Sequence, residues 1–283
     1  QAEDGIRDVE RSRGLGDVYK RQVIYDHVLG AEHADREPAL TGPYTQDHPF
    51  HEPFVLFAYL AAVTTSIEFE TAVIIMPQRQ TVLAAKQAAE VDVLSDGRLR
   101  LGVGTGWNYV EYESLSVDWD QRGRLLDEQI NVMRELWSND VVSIDTDFHR
   151  IDRAGIAPRP KESIPIWLGG STEVAMRRAA RLGDGFTFAS AGSRTVEMAE
   201  RLREIVSAAN RDATSYPIEF NMPYGLGPEK WETLTSQAED ASITHLCINT
   251  MSVTSEWAGT PPSGLDTPDD HIAGLERFMQ IVR

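Results

Sequence analysis

Short apolar strands alternate with longer amphipathic segments from residue 23 to the end of this chain, and that alternation constrains its fold more than any other feature. Val23–Val28, Ile67–Met76, Arg98–Gly106, Ile164–Leu168, Gly185–Ala189, Ile218–Met222 and His245–Asn249 read as strands. Segments of helical length follow them in turn: Glu52–Thr65, Gln80–Leu94, Gln121–Trp137, Thr172–Leu182, Thr195–Asn210, Glu229–Asp240 and Pro268–Val282. Pro53 is tolerated in a first helical turn, and Ser95-Asp96-Gly97 supplies a stop. Seven βα units in order predict a parallel sheet with right-handed crossovers. A doubly wound sheet is the competing solution, and the uninterrupted run favours closure. The expected fold class is α/β, a (β/α)₈ TIM barrel, and 283 residues sit near the roughly 250 typical of that fold. Asn139–Arg159 shows no clear long element, so a single barrel domain over residues 23–283 is expected, with an excursion around 108–160.

The first 22 residues, QAEDGIRDVERSRGLGDVYKRQ, lack apolar periodicity and the apolar stretch of a signal peptide. They read as a non-native leader, which implies that the first βα unit of the barrel is missing or replaced. The formal net charge of −17 repels phosphate backbones and argues against nucleic acid as a partner. No apolar run approaches the roughly 18 residues of a membrane helix. A single cysteine, Cys247, forms no internal disulfide and points to a reducing, cytoplasmic setting; inside an apolar strand it reads as a buried, inert thiol.

A barrel gathers its chemistry at the C-terminal ends of its strands. Those ends are Asp26-His27, Ile74-Ile75-Met76, Thr105-Gly106-Trp107-Asn108, Gly169-Gly170-Ser171, Ala189-Ser190, Asn221 and Asn249. Gly102-Val103-Gly104-Thr105-Gly106-Trp107 lacks the G-x-G-x-x-G spacing of a dinucleotide fold, and the next clear helix is expected only near Gln121. Its glycines either let a flat ring approach the strand backbone or serve packing alone. Gly169-Gly170-Ser171 runs into a helix, where backbone N–H groups and a cap from Ser171 or Thr172 could cradle a phosphate. His27 is the candidate to move a proton, against the commoner structural role of a lone histidine. His27, His33, His48 and His51 cluster in sequence but lack an H-x-H pair, so no metal is expected. Glu111/Glu113 and Asp118/Asp120 read as a solvated face of an acidic chain.

Several stretches match one family: Tyr25-Asp26-His27-Val28-Leu29-Gly30, Glu52-Pro53-Phe54 with Ala58–Thr64, Ala85–Ala89 with Asp92–Arg98, Leu101–Gly104 with Gly106-Trp107, and Pro165–Gly170 with Arg178–Gly185. Together they resemble luciferase-like F420-dependent oxidoreductases over roughly Val23 to Phe188. The resemblance implies hydride transfer between the deazaflavin F420 and a small organic substrate, with FMN-dependent monooxygenation as the alternative. A non-catalytic flavin-binding barrel or an inactive fragment is the rival from another class. The resemblance implies His27 as the catalytic residue, a cofactor site of Asp26, Ile74, Ile75, Thr105, Gly106, Asn108, Gly169, Gly170 and Ser171, and a non-prolyl cis peptide at the end of the strand carrying Val73-Ile74-Ile75. A homodimer is among the assemblies it allows. Trp107 stands where sugar-phosphate-oxidising relatives carry an acid, which argues against that substrate.

Overall fold

A computed structural model describes residues 20–253 and 258–282. Residues 1–19 of the expected leader lie outside the described residues. Contacts divide the chain into two units, one of Arg21–Thr41 and Thr45–Trp167, the other containing Gly42–Tyr44 and the chain from Leu168 onward. The division falls within strand β7 (Ile166–Gly169).

In the first unit, β1 (Arg21–Ile24) pairs in parallel with β2 (Glu68–Thr71), Arg21 opposite Glu68 and Ile24 opposite Thr71. β1 therefore begins two residues before the expected leader boundary. β2 and the short β3 (Ile74–Ile75) both lie parallel to β4 (Leu99–Gly104). The single strand expected over Ile67–Met76 is interrupted at Ala72 and Val73, which are joined by a cis peptide. β4 continues the sheet toward β7 through the Leu101 N–H, which donates to the Pro165 carbonyl at 2.9 Å.

Helices α1 (Pro53–Val63), α2 (Thr81–Ser95) and α4 (Arg122–Ser138) follow the expected segments within one or two residues. Ala84, Ala85, Ala88 and Ala89 recur at helical spacing and are fully buried, which lets α2 lie close to the sheet. Phe57 of α1 stacks on Phe69 of β2 at 5.1 Å. Asp96 ends α2 in the left-handed region (φ 57°), followed by Gly97 at φ 81°. Arg98 then donates to the Ile67 carbonyl and to Thr64 Oγ1 and carbonyl, satisfying carbonyl groups at the end of α1. The excursion does hold regular structure: β5 (Val142–Asp145) and β6 (Arg150–Ala154) form an antiparallel hairpin. Its residues are mostly exposed, so it carries little of the apolar alternation by which a strand is recognised.

In the second unit, β8 (Gly185–Phe188), β9 (Ile218–Pro223) and β10 (His245–Asn249) are parallel neighbours, with helix α5 (Glu173–Leu182) before them, α6 (Ser193–Ala208) and α7 (Pro228–Asp240) between them and α8 (Pro268–Ile281) after them. Phe188 meets Phe220 edge-on at 5.9 Å. Met222, Tyr224, Trp231 and Phe278 form a second apolar cluster, and the Trp231 indole N–H donates to the Tyr224 carbonyl. Cys247, expected buried, is partly exposed. Among the described residues no helix is long and apolar enough to cross a membrane.

Candidate active site

The chain leaves β1 at Ile24 and places Asp26 and His27 just beyond the strand's C-terminal end. Asp26 is buried, and both carboxylate oxygens are held by the protein. Oδ2 accepts the Ile75 N–H at 2.9 Å, and Oδ1 accepts Arg79 Nη2 at 2.8 Å. Arg79 in turn donates to Glu52 Oε1 at 2.7 Å. Burial of the guanidinium works to lower its pKa, and the charges and hydrogen bonds of Asp26 and Glu52 outweigh it, so the group is more firmly protonated than usual. Asp26 thus clamps the backbone at Ile75, two residues beyond the cis peptide.

Ile74 is fully buried and Ile75 nearly so. Gly106 has φ 65°, and a Cβ there would sit 3.0 Å from Ile75 Cγ2, so the glycine lets its loop lie flat against that side chain. Gly102 has a different role. A Cβ at Gly102 would lie 1.8 Å from the Thr71 carbonyl oxygen, while Thr71 Oγ1 donates to the Gly102 carbonyl at 2.7 Å. The packing alternative therefore holds for Gly102; it serves the close approach of β2 rather than that of a ring.

The gap expected between Asn108 and Gln121 contains a helix, α3 (Tyr109–Ser114). Asn108 caps it, its Oδ1 accepting the Val110 N–H at 3.1 Å, and Nδ2 reaches the Leu29 carbonyl at 3.4 Å. The Tyr112 hydroxyl donates to the Thr105 carbonyl at 2.6 Å. Six residues give too little periodicity to reveal such a helix in sequence, although Asn108 is a recognisable cap.

On α3 stands the residue that sequence reasoning missed. Glu111, expected on a solvated face, has a side chain only 1% exposed. Its Oε1 accepts the N–H groups of Val28 (3.0 Å) and Leu29 (3.2 Å) and lies 3.2 Å from Nδ1 of His27. Oε2 accepts the Gln78 amide at 3.1 Å. Burial pushes the Glu111 pKa up, but the hydrogen bond and charge of His27, the Gln78 amide and the Leu29 N–H outweigh it and hold it below the usual carboxylate value. Glu113, Asp118 and Asp120 are exposed, as expected of that loop.

His27 itself is 8% exposed at the side chain. Its ring packs 4.9 Å from Phe50 and 5.7 Å from Trp107, and His33 meets Trp107 edge-on at 5.9 Å. The structure therefore brings together Asp26, His27, Ile74, Ile75, Thr105, Gly106 and Asn108 in one unit. Gly169, Gly170 and Ser171 belong to the other, apart from the first part of their strand. There Thr172 is the cap of α5, accepting the Ala175 N–H, and Gly170 has φ 148°. Gly170 and Ser171 are exposed.

Comparison with known proteins gives a consistent picture. A family model for luciferase-like monooxygenases matches residues 23–227. An uncharacterized protein of Mycobacterium tuberculosis is 32% identical over 221 residues, 66% of this chain and 76% of that one. The FMNH2-dependent dimethylsulfone monooxygenase of Pseudomonas fluorescens is 30% identical over 182 residues, 63% of this chain and 50% of that enzyme. Among solved structures, the monooxygenase RslO1 of Streptomyces bottropensis has a TM-score of 0.70 at 16% identity, covering 99% of this chain and 92% of its own. An F420-dependent secondary alcohol dehydrogenase, solved with an F420–acetone adduct, has a TM-score of 0.67 at 15% identity, covering 99% and 94%. Likeness at that identity is likeness of fold, and it is to the (β/α)-barrel class expected from the alternation.

Proposed function

This chain belongs to the luciferase-like monooxygenase family of oxidoreductases, and from that membership we propose that it moves a hydride between coenzyme F420 and a small organic substrate. The observation that carries the proposal is a buried histidine held against a buried, ionised glutamate, beside a strand end whose backbone is clamped by Asp26. The residues present fit a flat ring on two counts: the nearly buried Ile75, and a glycine at position 106 where a side chain would crowd Ile75. When bound, the cofactor supplies hydride acceptance or donation.

The chain's own groups supply the rest. His27 gives or takes the proton that accompanies the hydride, and Glu111 steadies its ring. Asp26 and Arg79 hold Ile75 in place, a positioning role rather than direct contact with the cofactor. Phe50 and Trp107 shield the reacting region from water on the sides they occupy. Exposed backbone at Gly170 and Ser171, with the Thr172-capped helix behind it, suits a phosphate group. We place the enzyme in the cytoplasm, consistent with a single cysteine in 283 residues.

A second reading is FMN-dependent monooxygenation, favoured by the similarity to the dimethylsulfone monooxygenase. Titration of the purified protein with F420 and with FMN, followed by absorbance and fluorescence, separates the two. Saturable F420 binding with hydride transfer to or from a small organic substrate is the expected result. FMN binding alone would overturn the F420 reading.

A further inference from the structure

We propose that Glu111 is a positioning residue that holds His27 as the Nδ1-protonated tautomer, so that Nε2 is the atom through which His27 exchanges its proton. The inference deepens the proposed function, since it rests on His27 facing the substrate there.

Backbone N–H groups can only donate, and Oε1 of Glu111 receives two of them, from Val28 and Leu29. Oε1 is therefore an acceptor whatever His27 does. The third group at that oxygen, Nδ1 of His27 at 3.2 Å, then carries hydrogen. In the neutral ring a proton on Nδ1 leaves Nε2 as the basic nitrogen. The second oxygen makes the same point: the Gln78 side chain turns its Nε2 toward Oε2, at 3.1 Å, although this leaves Gln78 Oε1 buried with no hydrogen-bond partner.

That buried orphan oxygen also makes a clean test available. In Glu111→Gln, the new carbonyl oxygen can take the place of Oε1 and keep the Val28, Leu29 and His27 donors. The new NH2 then faces Gln78, whose amide turns over so that its Oε1 gains the donor it now lacks. The cluster survives with the charge removed. Glu111→Leu instead removes every acceptor.

The experiment records long-range proton–nitrogen spectra of this chain labelled at histidine, without cofactor or substrate, near neutral pH. Wild type and Glu111→Gln are expected to show His27 as the Nδ1–H tautomer, and Glu111→Leu to lose that signature toward Nε2–H. A structural role alone would leave the tautomer indifferent to the acceptor. A doubly protonated ring or Nε2–H in the wild type, Nε2–H in Glu111→Gln, or Nδ1–H retained in a folded Glu111→Leu protein would each overturn the proposal. Should Glu111→Leu not fold, the first two spectra still decide it. Because no ligand is present, failure here is distinct from failure of the F420 reading, which the cofactor titration decides.

Discussion

The Asp26 carboxylate accepts the backbone N–H of Ile75 at 2.9 Å, joining residues 49 apart in sequence and tying the end of β1 to the strand end behind the candidate site. Its second oxygen holds Arg79, whose side chain is 13% exposed beside a 1% exposed Asp26. Truncation in Asp26→Ala leaves a buried N–H without an acceptor and a cation with Glu52 alone. Removing one partner of a buried pair costs about 3–5 kcal/mol, so urea unfolding of Asp26→Ala should show a loss of that size. A loss within experimental error would mean that Arg79 is well served by Glu52 and solvent.

Two glycines should be destabilised by alanine to very different extents. In Gly102→Ala the new methyl would meet the Thr71 carbonyl oxygen at 1.8 Å, a backbone atom that cannot swing aside. Expression should fall to insoluble or unfolded protein. Gly97→Ala meets nothing within 4 Å and bears only the cost of φ 81°, roughly 1–2 kcal/mol for an alanine in the left-handed region. Thermal unfolding of the two variants side by side checks the contrast.

Asp92, at the last turn of α2, gives the fold an acid-side stabilisation. Burial pushes its pKa up to about 6, the Leu99 N–H pulls it down, and the charges of Asp96 and Glu162 push it up further. A carboxyl whose folded pKa lies above its unfolded value binds its proton more tightly when folded. Its contribution is fully present below the unfolded pKa, near 3.8, and is lost as pH rises through about 6. Asp92→Asn removes that slope, so the variant should lose less stability than wild type between about pH 5 and pH 7.5 in denaturant titrations. Parallel curves for the two proteins would exclude the effect.

His149 links the β5–β6 hairpin to the start of α2. Its Nε2 lies 2.6 Å from Thr81 Oγ1 and its Nδ1 3.1 Å from Glu128 Oε2. Gln129 Nε2, which also donates to Thr81 Oγ1, reaches the Met76 and Arg79 carbonyl groups behind the site. His149→Phe should cost about 0.5–1.5 kcal/mol by removing one hydrogen bond from Thr81, which keeps Gln129, and one from Glu128, which keeps Thr146 and Phe148. Hydrogen exchange should speed up in the hairpin while the core strands stay protected; uniform acceleration would show a global effect instead.

Much of this architecture is legible from local pattern. The alanines of α2, the Ser95-Asp96-Gly97 stop and the apolar strands declare themselves within a few residues, because burial on one face imposes a period that neighbours share. The candidate site is legible only in part. Asp26 and His27 could be singled out by their place at a strand end, yet Asp26 is a clamp whose partners, Ile75 and Arg79, no spacing rule connects to it. The glycines of 102–106 look alike in sequence, and only the closeness of Thr71 on one side and Ile75 on the other separates their roles.

The sequence by itself therefore determined the alternation of strands and helices, the family and the histidine at the end of the first strand, since each is written in short-range periodicity or in contiguous motifs. Tertiary structure alone decided which carboxylate of an acidic loop is buried. Glu111 and Glu113 are two residues apart and equally charged, but a turn of helix sends one toward Val28, Leu29, His27 and Gln78 and the other to solvent. Desolvation and donor count, the quantities that set the protonation of Glu111 and the tautomer of His27, come from segments 33 to 84 residues away in the chain.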